Sequence, residues 1–278
     1  MEILELRKRI IIDLREDVPE LVDKFNHFIL KKLPSKRNSV LNIVFNRRTE
    51  RFPKEFIIKL FKTDNFKNEY TTLITLAQQD LLIPKIIFHK EPYLFLEKVP
   101  GINLCDFIND KLRHVVSLND LDNESKEKIF KGLNKLAFWL AQLHKGNIYD
   151  KTNHSGIIVL NKGDTRLRDF IYDYEEDNLY GLDFEDSHRG DHLDDIAWIC
   201  CALLDTNPGI FELDDPKLKI DLLNFFLKSY YEINTNFQFD YTYFAGKLIE
   251  NLNLVMKRRN INLILDKSYF VQEIPKEF

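Results

Sequence analysis

Apolar and polar positions change rhythm about a third of the way along the chain. Residues 40–45 and 56–61 are short runs rich in β-branched and aromatic residues, separated by the charged segment 46–54, which predicts an antiparallel hairpin. Before them, residues 17–33 open with Asp17 and Pro19 and space Leu21, Val22, Phe25 and Phe28 for one helical face. That spacing predicts a helix whose end passes into strand, and residues 34–39 read as a turn. Residues 65–81 place Phe66, Tyr70, Leu73, Leu76 and Ala77 on one side of a helix that Pro84 closes. Residues 85–89 and 93–97 read as two more strands around Lys90-Glu91-Pro92. After Val99-Pro100-Gly101 the pattern becomes helical. Residues 125–143 keep Ile129, Leu133, Leu136, Leu140 and Leu143 in register, and further helices are expected over 193–204, 216–231 and 241–259. A loop-and-strand section over 157–182 interrupts them, and no internal repeat is visible. The order predicts an α+β chain of two lobes sharing a cleft. Residues 1–98 would form a small antiparallel sheet with one main helix, and residues 99–278 a mostly helical lobe.

Composition narrows the partners. The chain has 278 residues, 44% of them hydrophobic, so a buried core is expected. A formal net charge of -4 argues against a protein built to grip nucleic acid through a broad basic surface. Cys105, Cys200 and Cys201 fit no metal or disulfide pattern and read as reduced, buried thiols. The first residues lack signal-peptide architecture, and no apolar run approaches the about 18 residues that span a bilayer. A cytoplasmic protein without membrane contact is expected.

Four clusters carry chemistry. Lys59 ends an apolar strand, and Glu69 follows on the next helix, where a carboxylate could partner a buried cation. Gly163-Asp164 and Asp169 stand in one loop ahead of an apolar strand start, able to aim two carboxylates into one place. Asp183 closes a short strand and is followed by Phe184, Glu185 and Asp186, a set of hard oxygen donors suited to Mg²⁺. Asp191, Asp194 and Asp195 open a helix, where capping and the helix dipole alone account for acids. His188 and His192 beside them read as surface or hydrogen-bonding histidines.

The order of these clusters resembles the aminoglycoside phosphotransferase and choline kinase group, the small-molecule branch of the protein-kinase-like fold. Val99-Pro100-Gly101-Ile102-Asn103-Leu104 is similar to the segment after its hinge, and Leu140-Ala141-Gln142-Leu143-His144 to its helix ending in Leu-His. Gly163-Asp164 with Asp169 falls on its His-Gly-Asp-x-x-x-x-Asn loop. Leu182-Asp183-Phe184-Glu185 falls on its metal-binding strand end, and Gly190-Asp191 through Asp195-Ile196-Ala197 on its Gly-Asp-Pro…Asp-Leu-Ala helix. The likeness covers about residues 28–204. It implies a two-lobed kinase-like fold and transfer of the γ-phosphate of ATP to a hydroxyl of a small molecule. Lys59, positioned by Glu69, would hold the α- and β-phosphates. Ser35 to Ser39 would cover the nucleotide, and backbone groups near Glu97 and Val99 would bind adenine. Asp164 would be the catalytic base, with Asp169 and Asp183 holding Mg²⁺.

Three departures stand out. No glycine-rich phosphate loop is present, Lys162 replaces the family's His, and Asp169 replaces its Asn. The added carboxylate favours a strongly bound cation, and Lys162, Arg166 or Arg168 could offset its charge. Two rival readings are a non-catalytic kinase-like nucleotide-binding module and a metal-dependent nuclease using Asp164, Asp183 and Glu185. A P-loop enzyme is excluded, because no Gly-x-x-x-x-Gly-Lys-Ser/Thr run exists.

Overall fold

The computed structural model describes residues 2–23, 27–113, 115, 117–151, 157–213, 215–261 and 270–278. It divides into two compact units, Met1–Gln78 with Ile83–Val99, and Gln79–Leu82 with Pro100–Phe278.

The first unit is built on a five-stranded antiparallel sheet. Its strands are β1 (Phe28–Leu33), β2 (Ser39–Phe45), β3 (Glu55–Leu60), β4 (Ile86–Lys90) and β5 (Tyr93–Glu97), in the order β1-β2-β3-β5-β4. One face carries Phe45, Phe52, Phe56 and Phe95, whose rings meet at centroid distances of 5.2 to 6.4 Å. Burying each such ring stabilises the fold by about 2–3 kcal/mol. Helix α1 (Ile3–Leu14) is built around Leu6, Ile10 and Leu14, buried in the same core. Tyr93 Oη donates to Asp13 Oδ2 at 2.5 Å, and Lys90 Nζ to the Asp13 carbonyl at 2.9 Å, which fastens α1 to the β4–β5 hairpin.

This arrangement corrects the expected helix over residues 17–33. Only a 3₁₀ turn at Pro19–Leu21 forms, and Phe28–Leu33 is strand throughout, paired with β2 in the register Phe28↔Phe45 to Leu33↔Val40. Residues 24–26, inside that expected helix, lie outside the described residues. Helix α2 is Phe66–Leu76, shorter than the expected 65–81 because residues 77–80 leave the helix as a turn.

The second unit contains α3 (Leu104–Leu112), α4 (Asn123–Gly146), α5 (His192–Asp205), α6 (Lys217–Ile233) and α7 (Tyr241–Arg258). Helix α4 packs on α6, and α5 packs on α7. Two three-stranded antiparallel sheets lie among them. Strands β6 (Ile102–Asn103), β9 (Phe170–Asp173) and β10 (Asn178–Gly181) form one, and β7 (Ile148–Lys151), β8 (Ile157–Asn161) and β11 (His188–Asp191) the other. Gly181 sits where an added Cβ would come within 2.1 Å of the Trp139 ring, so β10 closes on α4 only with glycine there. Among the described residues, no helix is long and apolar enough to cross a membrane.

Candidate functional site

In the first unit, Lys59 on β3 pairs with Leu94 of β5 and Val40 of β2, which puts its stem in the middle of the sheet. Its ammonium donates to Glu69 Oε2 at 2.5 Å, and both side chains are almost fully buried, at 7% and 2% exposure. The Phe61 ring lies 4.9 Å from the same Nζ. A pair this deep is costly to desolvate and is weak evidence of stability alone. The segment over Ser35 is exposed and forms the β1–β2 turn. Asn38 Oδ1 caps the Lys62 N–H at 3.2 Å, while Ser39 Oγ is buried and has no hydrogen-bond partner among the described residues. Glu97 ends β5 with its N–H bonded to the Lys85 carbonyl at 2.8 Å, and Val99 is half-buried beyond it.

In the second unit, the segment from β8 to β9 carries the acidic loop. Gly163 has φ +75°, and an added Cβ would lie 2.2 Å from the Asp186 carbonyl. The glycine therefore lets this loop close against the loop after β10. Asp164 and Asp183 both take left-handed backbone, with φ +39° and +64°. Such conformations cluster at functional sites, where the surroundings enforce them.

Around Asp164 the residue that holds the loop is Asp195. It is fully buried on α5 and accepts from Lys162 N at 2.6 Å, Gly163 N at 2.9 Å and Thr165 Oγ1 at 2.6 Å. His144, at the end of α4, stands 3.2 Å away through Nε2, and its Nδ1 lies 2.8 Å from Tyr230 Oη. Sequence reasoning placed Asp195 among the capping acids. The cap is Asp191, which accepts from Leu193 N at 2.9 Å, while Asp195, one helical turn on, faces inward. His192 hydrogen-bonds Tyr231 at 3.1 Å, and exposed His188 contacts the Asp186 carbonyl at 3.1 Å.

Lys162 and Asp169, the two loop residues expected from the sequence to differ from the motif it resembles, meet. The Lys162 side chain is wholly buried, and its ammonium lies 3.4 Å from Asp169 Oδ2 and 3.0 Å from the Asp183 carbonyl. The Phe170 and Phe184 rings flank it at 5.8 Å each. Asp169 Oδ2 also accepts from Arg166 N at 3.0 Å, and the Asp169 carbonyl from Leu182 N at 2.7 Å. Burial pushes the Asp169 carboxyl above its usual range; Lys162 opposes the shift and Asp183 adds to it. Asp183 is exposed, and one of its carboxylate oxygens lies within 4.8 Å of one of buried Glu185. Asp164 is clasped by Arg166, whose Nη2 reaches Oδ1 at 3.0 Å and Oδ2 at 2.9 Å. Lys162, Asp164, Asp169 and Asp183 are thus joined in one network inside the second unit.

The buried His144 gives this network a pH signature. Burial holds its imidazole neutral and its pKa below the ordinary value, outweighing the attraction of Asp195. A His whose folded pKa is depressed contributes stability that is fully present above the unfolded value of about 6.5. That stability is lost as pH falls from there through the folded value, by up to about 1.4 kcal/mol per unit. Asp195 adds loss of the same sign at lower pH: burial alone would raise its carboxyl, but bonds from His144, Thr165 and Lys162 hold it low. Thermal melts should show the wild type losing stability between pH 7.5 and 5.5, with a shallower slope in His144→Gln. Equal slopes would count against a buried neutral His144.

Comparison with solved structures identifies the fold. A Ralstonia eutropha protein assigned to the aminoglycoside phosphotransferases superposes with a TM-score of 0.60 at 14% identity, over 96% of this chain and 92% of that one. The chain shares the protein-kinase-like fold of that structure. The ethanolamine kinase of Plasmodium vivax shares it with a TM-score of 0.55 and 16% identity, over 98% of this chain and 87% of that one. So does the ternary complex of streptomycin, ATP and APH(2″)-IIa, with a TM-score of 0.52 and 13% identity, over 91% and 93% of the two chains. No family model matches the sequence, and no curated protein is similar to it. The kinase-like fold is therefore retained at identities where the likeness is one of structure alone.

Proposed function

We propose that the chain transfers the γ-phosphate of ATP to a hydroxyl of a small molecule. The observation that carries this reading is the joined set of Asp164, Asp169 and Asp183, held by Lys162 and Asp195 in a fold shared with small-molecule kinases. Phosphoryl transfer asks for alignment and charge neutralisation more than covalent help. Asp164 accepts the proton of the acceptor hydroxyl. Lys59, fixed by Glu69, holds the nucleotide phosphates, with the turn from Ser35 to Ser39 covering them and the backbone near Glu97 and Val99 holding adenine. The unpartnered Ser39 Oγ is one donor suited to that role.

The donor types fit Mg²⁺, since Asp183 and Glu185 bring carboxylate oxygens within 4.8 Å of one another and Asp169 adds a carboxylate on the same network. Asp169 and Asp183 would hold the ion, which when bound neutralises the developing phosphate charge.

Mg²⁺ with ATP at about a hundred times its Kd should raise the melting temperature by about 5–10 °C. Lys59→Met should remove the rise. No stabilisation by any nucleotide with Mg²⁺ or Mn²⁺ would end this reading.

One observation favours a second reading. Arg166 engages both oxygens of Asp164, as a nucleotide-binding module without turnover would tolerate. Sustained phosphate transfer that Asp164→Asn removes excludes that module.

A further inference from the structure

Helix α7 ends in Lys257-Arg258-Arg259, a run that the helix dipole alone would explain if all three faced solvent. The structure sends them in three directions. Arg259 turns to Asp205, with Nη2 2.9 Å from its carboxylate and 3.1 Å from its carbonyl. Lys257 lines a cleft of about 550 Å³ between α5 and α7, with Trp198, Lys247, Asp194 and Glu250. Arg258 lies over the Trp198 ring at 6.0 Å and reaches Asp164 Oδ1 at 3.7 Å.

Two guanidinium groups therefore address one carboxylate, because Arg166 already engages both Asp164 oxygens. Arg166 and Arg258 remain 36% and 35% exposed, so both can meet a ligand. The cleft beside them does not supply the missing negative charge. Of its acids, Asp195 is buried and bonded to the Asp164 loop, while Asp194 and Glu250 lie 4.0 Å and 3.4 Å from Lys247, so with Lys257 the two remaining acids meet two cations. The surplus at Asp164 is positive, and an acceptor bearing an ammonium group would be repelled there. An oxyanion would instead meet two forked donors whose geometry matches carboxylate and phosphate alike. It would also draw Arg166 off Asp164, which the hydroxyl proton needs.

We infer that the phosphate acceptor is an anion, a small molecule carrying a carboxylate or phosphate group next to its hydroxyl, with Arg258 and Arg166 as its specificity residues. This rests on the phosphotransferase reading. The acceptor oxygen bonds to the γ-phosphorus, the bond from that phosphorus to the β–γ bridging oxygen breaks, ADP leaves, and the hydroxyl proton passes to Asp164.

Calorimetry with Mg²⁺ and ADP present tests it with glycerate, glycerol 3-phosphate, glycerol and ethanolamine as probes. At least one acidic probe should bind ten times tighter than glycerol or ethanolamine, and the acidic pair shows whether carboxylate or phosphate is preferred. Arg258→Gln should weaken the acidic probe about tenfold, and Arg258→Lys should recover part of the loss. Ethanolamine binding as well as the acidic probes, no binding by either acidic probe, or acidic binding unchanged in Arg258→Gln would overturn the inference. Stabilisation by Mg²⁺ and ATP is measured alongside. If it is absent while Arg258-dependent anion binding persists, the phosphotransferase reading falls and the anion site stands. If it is present without anion binding, the inference alone falls.

Discussion

Asp164→Asn is expected to lower kcat for phosphate transfer by about 10²–10⁴-fold, the range that loss of a general base produces. The rise in melting temperature caused by Mg²⁺ and ATP should be unchanged, which separates chemistry from nucleotide binding. The substitution is conservative where it matters for folding. Asn tolerates the left-handed backbone that Asp164 adopts at φ +39°, and its amide oxygen keeps a contact for Arg166. Stability should therefore hold while the proton acceptor is lost. Because the group acts only in the transition state, kcat and kcat/KM should fall together, with KM for ATP little changed. Turnover within a few-fold of wild type would leave Asp164 without its proposed role and shift attention to the clasp by Arg166.

The parts of the fold that could be read from the sequence are those in which one side of an element carries its own signal. Strands β2, β3 and β5 show as compact apolar runs, and α4 shows through Ile129, Leu133, Leu136 and Leu140, all buried. The segment 17–33 has helical spacing too, yet from Phe28 its backbone bonds to β2 instead. Pairing with a distant strand, which buries Phe28 against Phe45, overrides a local pattern that offered less. Helix α1 carries a legible Leu6, Ile10, Leu14 stripe, but charged residues surround it and the sequence reading left it unassigned. At the candidate site the carboxylates are visible as residue types, while their directions are not. Three acids at the start of α5 look alike in sequence. One caps the helix, one meets Tyr243, and the third organises the Asp164 loop from inside the core. Side-chain direction depends on the face each residue presents to the rest of the unit, which spacing from a single sequence does not reveal. Arg258 is one of three consecutive basic residues at the end of the helix expected over 241–259, and its reach to Asp164 follows from how α7 packs on α5.

Lys162→Met should cost about 3 kcal/mol of stability in urea unfolding, the low end for breaking a buried ion pair because Asp169 keeps 19% exposure. The lost ammonium leaves the Asp169 carboxylate beside Asp183 without its internal cation, and it leaves the Asp183 carbonyl without a donor. Asp169→Asn should also destabilise, for the converse reason, since a wholly buried ammonium then meets two uncharged oxygens and two ring faces in place of a carboxylate. The double variant Lys162→His with Asp169→Asn introduces the pair of residue types carried by the motif that the loop resembles. It should be more stable than the sum of the Lys162→His and Asp169→Asn single effects implies, with a coupling of about 1–3 kcal/mol. Simple additivity would mean that the two residues are not energetically coupled. A second measurement separates packing from charge. Mg²⁺ should raise the melting temperature of Lys162→Met more than that of wild type, because the ion replaces positive charge that the variant lacks. A void left by a shortened side chain would show no such response to the ion. Coupling together with the ion response would make Lys162 the counter-charge that allows an aspartate to stand where the motif has an uncharged amide, with the loop around Asp164 keeping its shape before any cation arrives.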